Sequence, residues 1–477
     1  MGTKEIDLIF KPKSIAIVGA TNNPKKYGYQ FVNFVKGQGY TGKIYPINPK
    51  GGEVLGLKIY PSLDSIDDEV DLAVILTAAD TVPQAIQQCG KKGVKGVIII
   101  SAGFSESGRD GKELEEEIVA IARFHGIRIV GPNCLGVVNL EIGLNATACA
   151  VVPKQKGSMG FISQSGSSLE LLFSLSEERG IYFNKVVSSG NEADLNLIDY
   201  FEYFSQDPNI NVIMMYIEGI GKKGGQAFIE LAKATTPHKP VVALKVGRTA
   251  VGERAISTHT GALVGRAELY SAVFKQCGII EAKTYEELFD YGLAFSAGRI
   301  PVGDRVAIMG PGGPGISTAD ILAEEGVLIP EFSEQTKVNF RQIVPSFMAG
   351  LRNPLDITPS FPMDERETLY RMLLEDENTD GAIILTSALF YMKKFSEIIP
   401  RVYTQSRKPL LVGSIMSMTV PEIHETAKTL GKVGIPFYPS PERAAKAYSV
   451  LMRYGKYVRN LEERKDGGRN ERQRDFS

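Results

Sequence analysis

The chain reads as an α/β protein, with an N-terminal Rossmann-like domain over residues 1–143 followed by two flavodoxin-like doubly wound domains over 144–298 and 299–460. Three observations predict this. Short β-rich runs alternate with helical patterns along most of the 477 residues, as they do in βαβ units that close into parallel sheets. Runs such as Val97-Ile98-Ile99-Ile100 are apolar at every position rather than every second one, as strands covered on both faces are. The order of parts in the middle of the chain also repeats in its last third.

The first block predicts a strand at Ser14–Val18, a helix around Tyr29–Lys36 and strands at Lys43–Ile47 and Asp71–Leu76. A helix at Val82–Lys91, a strand at Gly96–Ser101, a helix at Gly111–Phe124 and a strand at Ile127–Val130 complete it. Block two opens with Gly160-Phe161-Ile162-Ser163-Gln164-Ser165-Gly166-Ser167, then a helix, then Val186-Val187-Ser188-Ser189-Gly190-Asn191. Its later strands are Val212–Ile217 and Lys239–Leu244, and a helical pattern runs from Arg266 to Gln276. Block three matches in order: Val306–Gly315, a helix, Asn353–Ile357, Gly381–Leu385, a helix, Lys408–Val412. The matching order predicts one doubly wound fold for both blocks. The tail 461–477 is charged and glycine-bearing, and fraying is expected there.

Composition excludes several function classes. The formal net charge is −1, so no global basic field recruits nucleic acid or an anionic membrane. Four cysteines, Cys89, Cys134, Cys149 and Cys277, lack CxxC spacing. They fit a reducing cytoplasm and offer no metal site. The charged N-terminus lacks an apolar signal core, and no apolar run reaches membrane-spanning length. A cytoplasmic protein is the expectation.

Four segments could carry chemistry. Gly19-Ala20-Thr21-Asn22-Asn23-Pro24-Lys25-Lys26-Tyr27-Gly28 follows the first strand. It is not GxGxxG, so the dinucleotide fingerprint is missing. A glycine turn feeding a helix still suits a phosphate, because free N–H groups and the helix dipole point at it. The second strand ends in Asn48 and Lys50, where a dinucleotide site would place an acid for the ribose. Ser163 to Ser168 joins a strand to a helix, and its hydroxyls and amides suit an anion or simple N-capping. Gly312-Gly313-Pro314-Gly315 is the matching turn of block three, where turn and first-position residues suffice as an explanation.

Glu218 ends the buried-looking strand Val212–Ile217, at the sheet edge where such folds place functional groups. His259 lies in Lys245–Leu263, a run of small, hydroxylic and glycine residues that predicts a mobile loop. Glu218 could accept the Nδ1 proton of His259 and leave Nε2 free to attack phosphorus. Block three lacks both groups, since Leu385-Thr386-Ser387-Ala388 and Gly413-Ser414-Ile415-Met416 stand at the matching places. Block two is the chemically equipped copy. His125, His238 and His424 fall at a helix end, in a turn and in a helical pattern, as caps or surface residues do.

Gly131-Pro132-Asn133-Cys134-Leu135-Gly136, the Ser163–Ser168 turn, Ile217-Glu218-Gly219 and Ser257-Thr258-His259-Thr260-Gly261-Ala262 together resemble the α subunit of succinyl-CoA synthetase and its relatives. With the third block, the chain most resembles the α subunit of an ADP-forming acyl-CoA (acetyl-CoA) synthetase. The resemblance spans nearly the whole chain. It implies that the first domain binds CoA or acyl-CoA, that His259 is phosphorylated on a swinging loop, and that Glu218 orients the ring. It implies a phosphate site at Ser163, Gln164, Ser165, Gly166 and Ser167, and an acyl site near Gly190 and Asn191. CoA contacts would fall on Gly19, Ala20, Thr21, Asn22, Lys25, Gly28, Asn48, Lys50, Thr77, Ala78, Ser101 and Asn133. The loop at Asn22–Lys26 departs from the succinyl enzyme's Thr-Gly-x-Gln-Gly pattern, so the CoA contacts carry over less closely than the histidine.

The implied reaction is reversible: acyl-CoA, ADP and phosphate give a small carboxylic acid such as acetate, CoA and ATP, through acyl phosphate and phosphohistidine. ADP or ATP with Mg would be bound mainly by a separate ATP-grasp β subunit, in an α2β2 assembly. No P-loop is present in this chain. Two other classes compete. A non-catalytic CoA-sensing protein would not need Glu218 and His259, and an NAD-dependent oxidoreductase would carry the missing fingerprint and acid.

Overall fold

In the computed structural model of the chain, residues 4–221, 224–259, 267–345, 350–357, 361–386 and 391–474 are described, with side chains at all of these except 4, 256–259 and 465–474. Three parallel sheets carry the fold. The first contains Ser14–Val18, Lys43–Ile47, Leu72–Ile75, Gly96–Ile99 and Arg128–Val130, ordered second, first, third, fourth, fifth. Its third and fourth strands are buried at every residue, as their unbroken apolar runs require. The predicted helices appear at Tyr27–Gly37, Val82–Lys92 and Arg109–His125.

The second sheet repeats that order with Met159–Ser163, Phe183–Ser188, Val212–Ile217, Val241–Lys245 and Ile280–Ala282. The third repeats it again with Ala307–Gly310, Leu355–Asp356, Ala382–Thr386, Leu410–Ser414 and Phe437–Tyr438. In each sheet the direction in which strands are added reverses between the first and third strands. That reversal opens a crevice at their carboxyl ends, where ligands of such folds bind.

Three expectations need correction. The boundary at 143 cuts through a hairpin. Gly136–Asn139 pairs antiparallel with both Leu144–Thr147 and Phe183–Ser188, so it extends the second sheet rather than closing the first. These strands are buried at every residue, and burial against block two outweighs their place in sequence. By contact the chain divides into two compact units. One holds residues 1–174 and 182–285, the other 175–181 and 286–477, so the first two sheets share a unit and the helix Tyr285–Ser296 falls mostly in the second. The charged tail is helical to Arg474, as part of Pro441–Arg474, instead of unstructured. Its Glu, Arg and Lys residues are good helix formers and outweigh two glycines.

Among the described residues no helix is long and apolar enough to cross a membrane, and no cluster of three or more His, Cys, Asp or Glu could hold a metal ion. The four cysteines are buried thiols.

Candidate functional site

The residues singled out for CoA gather along the carboxyl edge of the first sheet. The first strand runs into Gly19, whose φ of +99° only glycine adopts without strain. The amides of Gly19 and Ala20 both donate to the Ile47 carbonyl. Gly28, in the first turn of the following helix, packs so closely on this turn that a Cβ there would run into the Gly19 carbonyl oxygen. The helix N-terminus has no side-chain cap, so its first amides remain available beside Lys25 and Lys26. Asn48 is occupied with holding the edge together. Its Nδ2 donates to the Ala20 carbonyl at 2.8 Å and its Oδ1 accepts from the Lys50 amide at 3.0 Å. Thr77 and Ser101 stand on neighbouring strand ends, and the Ser101 hydroxyl donates to the Thr77 carbonyl. Asn133 closes the row, its amide bonded to the Ser101 carbonyl.

Asn133 also links this edge to the second sheet, because its Nδ2 donates to Asn191 Oδ1 at 3.2 Å. Gly190 lies against the carbonyls of Pro132 and Asn133 with a φ of +59°, where a side chain would collide with backbone. The Asn191 amide nitrogen reaches Ser105 at 3.1 Å, Glu106 at 2.5 Å and Glu115 at 2.9 Å. The proposed acyl turn is therefore pinned through Asn191 to the loop and helix after the fourth strand of the first sheet. Desolvation by burial acts to raise the Glu106 carboxyl, but the bond from Asn191 and those from the Gly103 and Phe104 amides outweigh it and hold the group below its usual range.

At the crevice of the second sheet, two residues expected to touch phosphate are committed elsewhere. Ser163 is fully buried, and its hydroxyl bonds the Ser165 carbonyl and the Ser168 hydroxyl. Gln164 is buried too. Its Oε1 accepts from the amides of Glu218 (2.6 Å) and Gly219 (3.1 Å), while its Nε2 donates to the Gly219 carbonyl (2.8 Å) and to Glu192 (3.0 Å). Both side chains build the turn. Ser165, Gly166 and Ser167, half-buried to exposed, present the helix N-terminus to the crevice. Gly166 sits over Leu135, which leaves no room for a side chain.

Two more ionisable residues line these strand ends. Glu192, in the αL region with a φ of +57°, accepts from Ser189 at 2.7 Å as well as from Gln164. Burial pushes its carboxyl up to about 7, against the lowering effect of these bonds. Lys245, only 1% exposed, ends the strand beside Glu218. The signal for it was a charge closing the apolar run Val241–Leu244, in the same place as Glu218 on the next strand.

Glu218 itself is buried, one residue beyond the end of its strand. His259 closes a helix, Ala250–His259, where the small and glycine residues predict a mobile loop. The run Ala250 to Ala255 contains enough helix-forming residues to propagate past Gly252. The His259 side chain lies outside the described residues, as do Thr260 to Arg266.

A family profile described as a CoA binding domain matches residues 13–139, and one described as a succinyl-CoA ligase like flavodoxin domain matches 156–295. The α subunit of acetate–CoA ligase (ADP-forming) II from Pyrococcus furiosus is 41% identical over 461 residues, which is 95% of this chain and 98% of that one. The α subunit of form I from the same organism is 39% identical over 463 residues, with the same shares. Among solved structures, the dinucleotide forming acetyl-coenzyme A synthetase 1 of Ca. Korarchaeum cryptofilum, in complex with phosphate and ADP, is similar with a TM-score of 0.87. It is 36% identical, and the match covers 96% of this chain and 98% of that one.

Proposed function

The chain belongs to the family of ADP-forming acetate–CoA ligase α subunits, and from that premise we propose that it interconverts acyl-CoA and a small carboxylic acid such as acetate together with a separate ATP-grasp β subunit. The observation that carries the reading is the pair of adjoining sheet edges. A glycine turn with an uncapped helix N-terminus ends one, and a serine-glycine helix start facing the strand end of Glu218 ends the other.

CoA would lie along the first edge, its phosphates on the helix amides near Gly28 and on Lys25 and Lys50, between Gly19–Asn22, Asn48, Thr77, Ala78, Ser101 and Asn133. The acyl group would face the Gly190–Asn191 turn. Phosphate held by the amides of Ser165–Ser167 attacks the acyl carbon, giving acyl phosphate and releasing CoA as the thiol. The Nε2 of His259 then takes the phosphoryl group and the carboxylate departs. Glu218 accepts the Nδ1 proton and stabilises the ring as charge develops on it. The phosphoryl group passes to ADP on the partner, where Mg would also be held, in an α2β2 assembly. The reaction would take place in the cytoplasm, where the reduced thiols of the chain also fit. A sensing role would not need the buried Glu218 beside a phosphate-type helix start.

The test is reconstitution. Chain and β subunit together should form acetyl-CoA from acetate, CoA and ATP with release of ADP and phosphate, and neither alone should do so. Formation of AMP and pyrophosphate, or acetyl-CoA formation by the chain alone, would overturn the assignment.

A further inference from the structure

We propose that Lys245 is a positioning residue for this reaction, a buried ammonium that fixes the Glu218 backbone and both ends of the segment carrying His259. The inference rests on the roles just proposed for Glu218 and His259. Lys245 is in register with Ile217, one residue before Glu218. Its Nζ donates to the Glu218 carbonyl at 2.9 Å and to the Val246 carbonyl. It also stands 4.9 Å from the centre of the Tyr270 ring, within cation–π range. The Tyr270 hydroxyl in turn accepts from the Ile220 amide at 2.9 Å.

These partners have a common meaning. Val246 begins the segment that leads to His259, and Tyr270 lies in Ala267–Cys277, the helix that follows it. Glu218 and Ile220 form the turn that carries the orienting carboxylate. One ammonium thus holds the catalytic strand end and both roots of the histidine segment. Three N–H groups meet two carbonyls and an aromatic face, a set that methionine cannot bond and a neutral amine bonds more weakly. If the ties loosen, the carboxylate and the segment shift together, and a misplacement of about 1 Å costs on the order of 100-fold in rate.

The charge is also set to titrate in a useful range. Desolvation lowers the Lys245 ammonium from 10.5 to about 8, opposed by the charges of Glu218 and Glu253. Among the described residues, those two carboxylates and Tyr270 are the titratable groups facing it from the Glu218 turn, the Ala250–His259 helix and the Ala267–Cys277 helix. Above about pH 8 the ammonium loses its proton, so kcat should fall on an alkaline limb there.

The experiment uses the complex with the β subunit, in wild type, Lys245→Met and Lys245→Arg. It measures kcat and KM for CoA from pH 6 to 10, with acid-labile phosphate on the chain after ATP treatment. Lys245→Met should lower kcat by about 10-fold to 100-fold, change KM for CoA by less than about threefold and show no limb near pH 8. Lys245→Arg keeps its charge throughout. It should recover part of kcat and also lack the limb, which keeps the test open if the methionine variant does not fold. Wild-type kcat in Lys245→Met, or a limb near pH 8 that persists in Lys245→Arg, would overturn the inference. A wild-type chain that takes no phosphate on His259 would overturn the underlying reading as well, so the two failures are distinct.

Discussion

The side chain of Gln164 holds Glu218 by its backbone, with Oε1 accepting from the Glu218 amide at 2.6 Å and Nε2 bonding the next carbonyl at 2.8 Å. The amide group imitates a missing strand partner at the point where the first and third strands part. Gln164→Glu keeps both acceptor bonds and loses both donors, and it sets a carboxylate against Glu192 and the Gly219 carbonyl. A loss of about 3–5 kcal/mol at pH 8 is expected. Gln164→Met should cost about 1–3 kcal/mol for each amide left without a partner. Urea unfolding at pH 8 and pH 6 checks this, and the glutamate variant should regain stability at the lower pH as the facing carboxyls take up a proton.

Glu192 predicts a pH dependence of its own. Its carboxyl titrates at about 7 in the fold and at 4.5 ordinarily, so between these values the folded chain holds a proton that the unfolded chain has lost. The resulting stability is fully present below about pH 4.5 and is lost as pH rises through 7, amounting to about 3 kcal/mol at most. Stability measured from pH 5 to 8 should show a downward slope in wild type that Glu192→Gln removes. Equal slopes in both would remove Glu192 as the source.

Gly28→Ala separates the two sheet edges. A methyl group there meets the Gly19 carbonyl oxygen and displaces the helix start from the turn. CoA affinity should fall by about tenfold or more, equal to about 1.4 kcal/mol, while ATP-dependent phosphorylation with the β subunit stays near wild type. Calorimetric titration with CoA beside a phosphorylation assay reads both.

Asn191 satisfies Glu106 and Glu115 from one amide nitrogen. Asn191→Ala leaves those acceptors short of a donor and should cost about 1–3 kcal/mol. Asn191→Asp adds a third carboxylate at hydrogen-bond distance and should cost more. Urea unfolding at pH 8 should rank the aspartate variant below the alanine variant, with the gap closing toward pH 5.

The sheet cores are legible in sequence because most of their central strands are apolar runs with one reading. Ser14–Val18 and Lys43–Ile47 fall on the expected residues. Glu218 was visible for the same reason, as an acid ending such a run. Partnership was not legible. Ser163 and Gln164 look like phosphate ligands in a serine-rich turn, yet their groups are used up across contacts of 2 to 55 residues in sequence. The sheet that Gly136–Asn139 joins is not legible because, beyond its nearby partner Leu144–Thr147, it pairs with Phe183–Ser188 far along the chain. The segment Ala250–His259 is helical although its sequence predicts a loop, because glycine and hydroxyl residues lower local propensity without abolishing it.

The most direct test of the account is phosphate on His259. The chain, incubated with its β subunit and γ-labelled ATP, should carry label that survives base and is lost in acid. His259→Asn should carry none, and Glu218→Gln should carry it at a rate lowered by about 100-fold or more. Label that persists in His259→Asn, or wild-type catalysis without any labelled chain, would contradict the account.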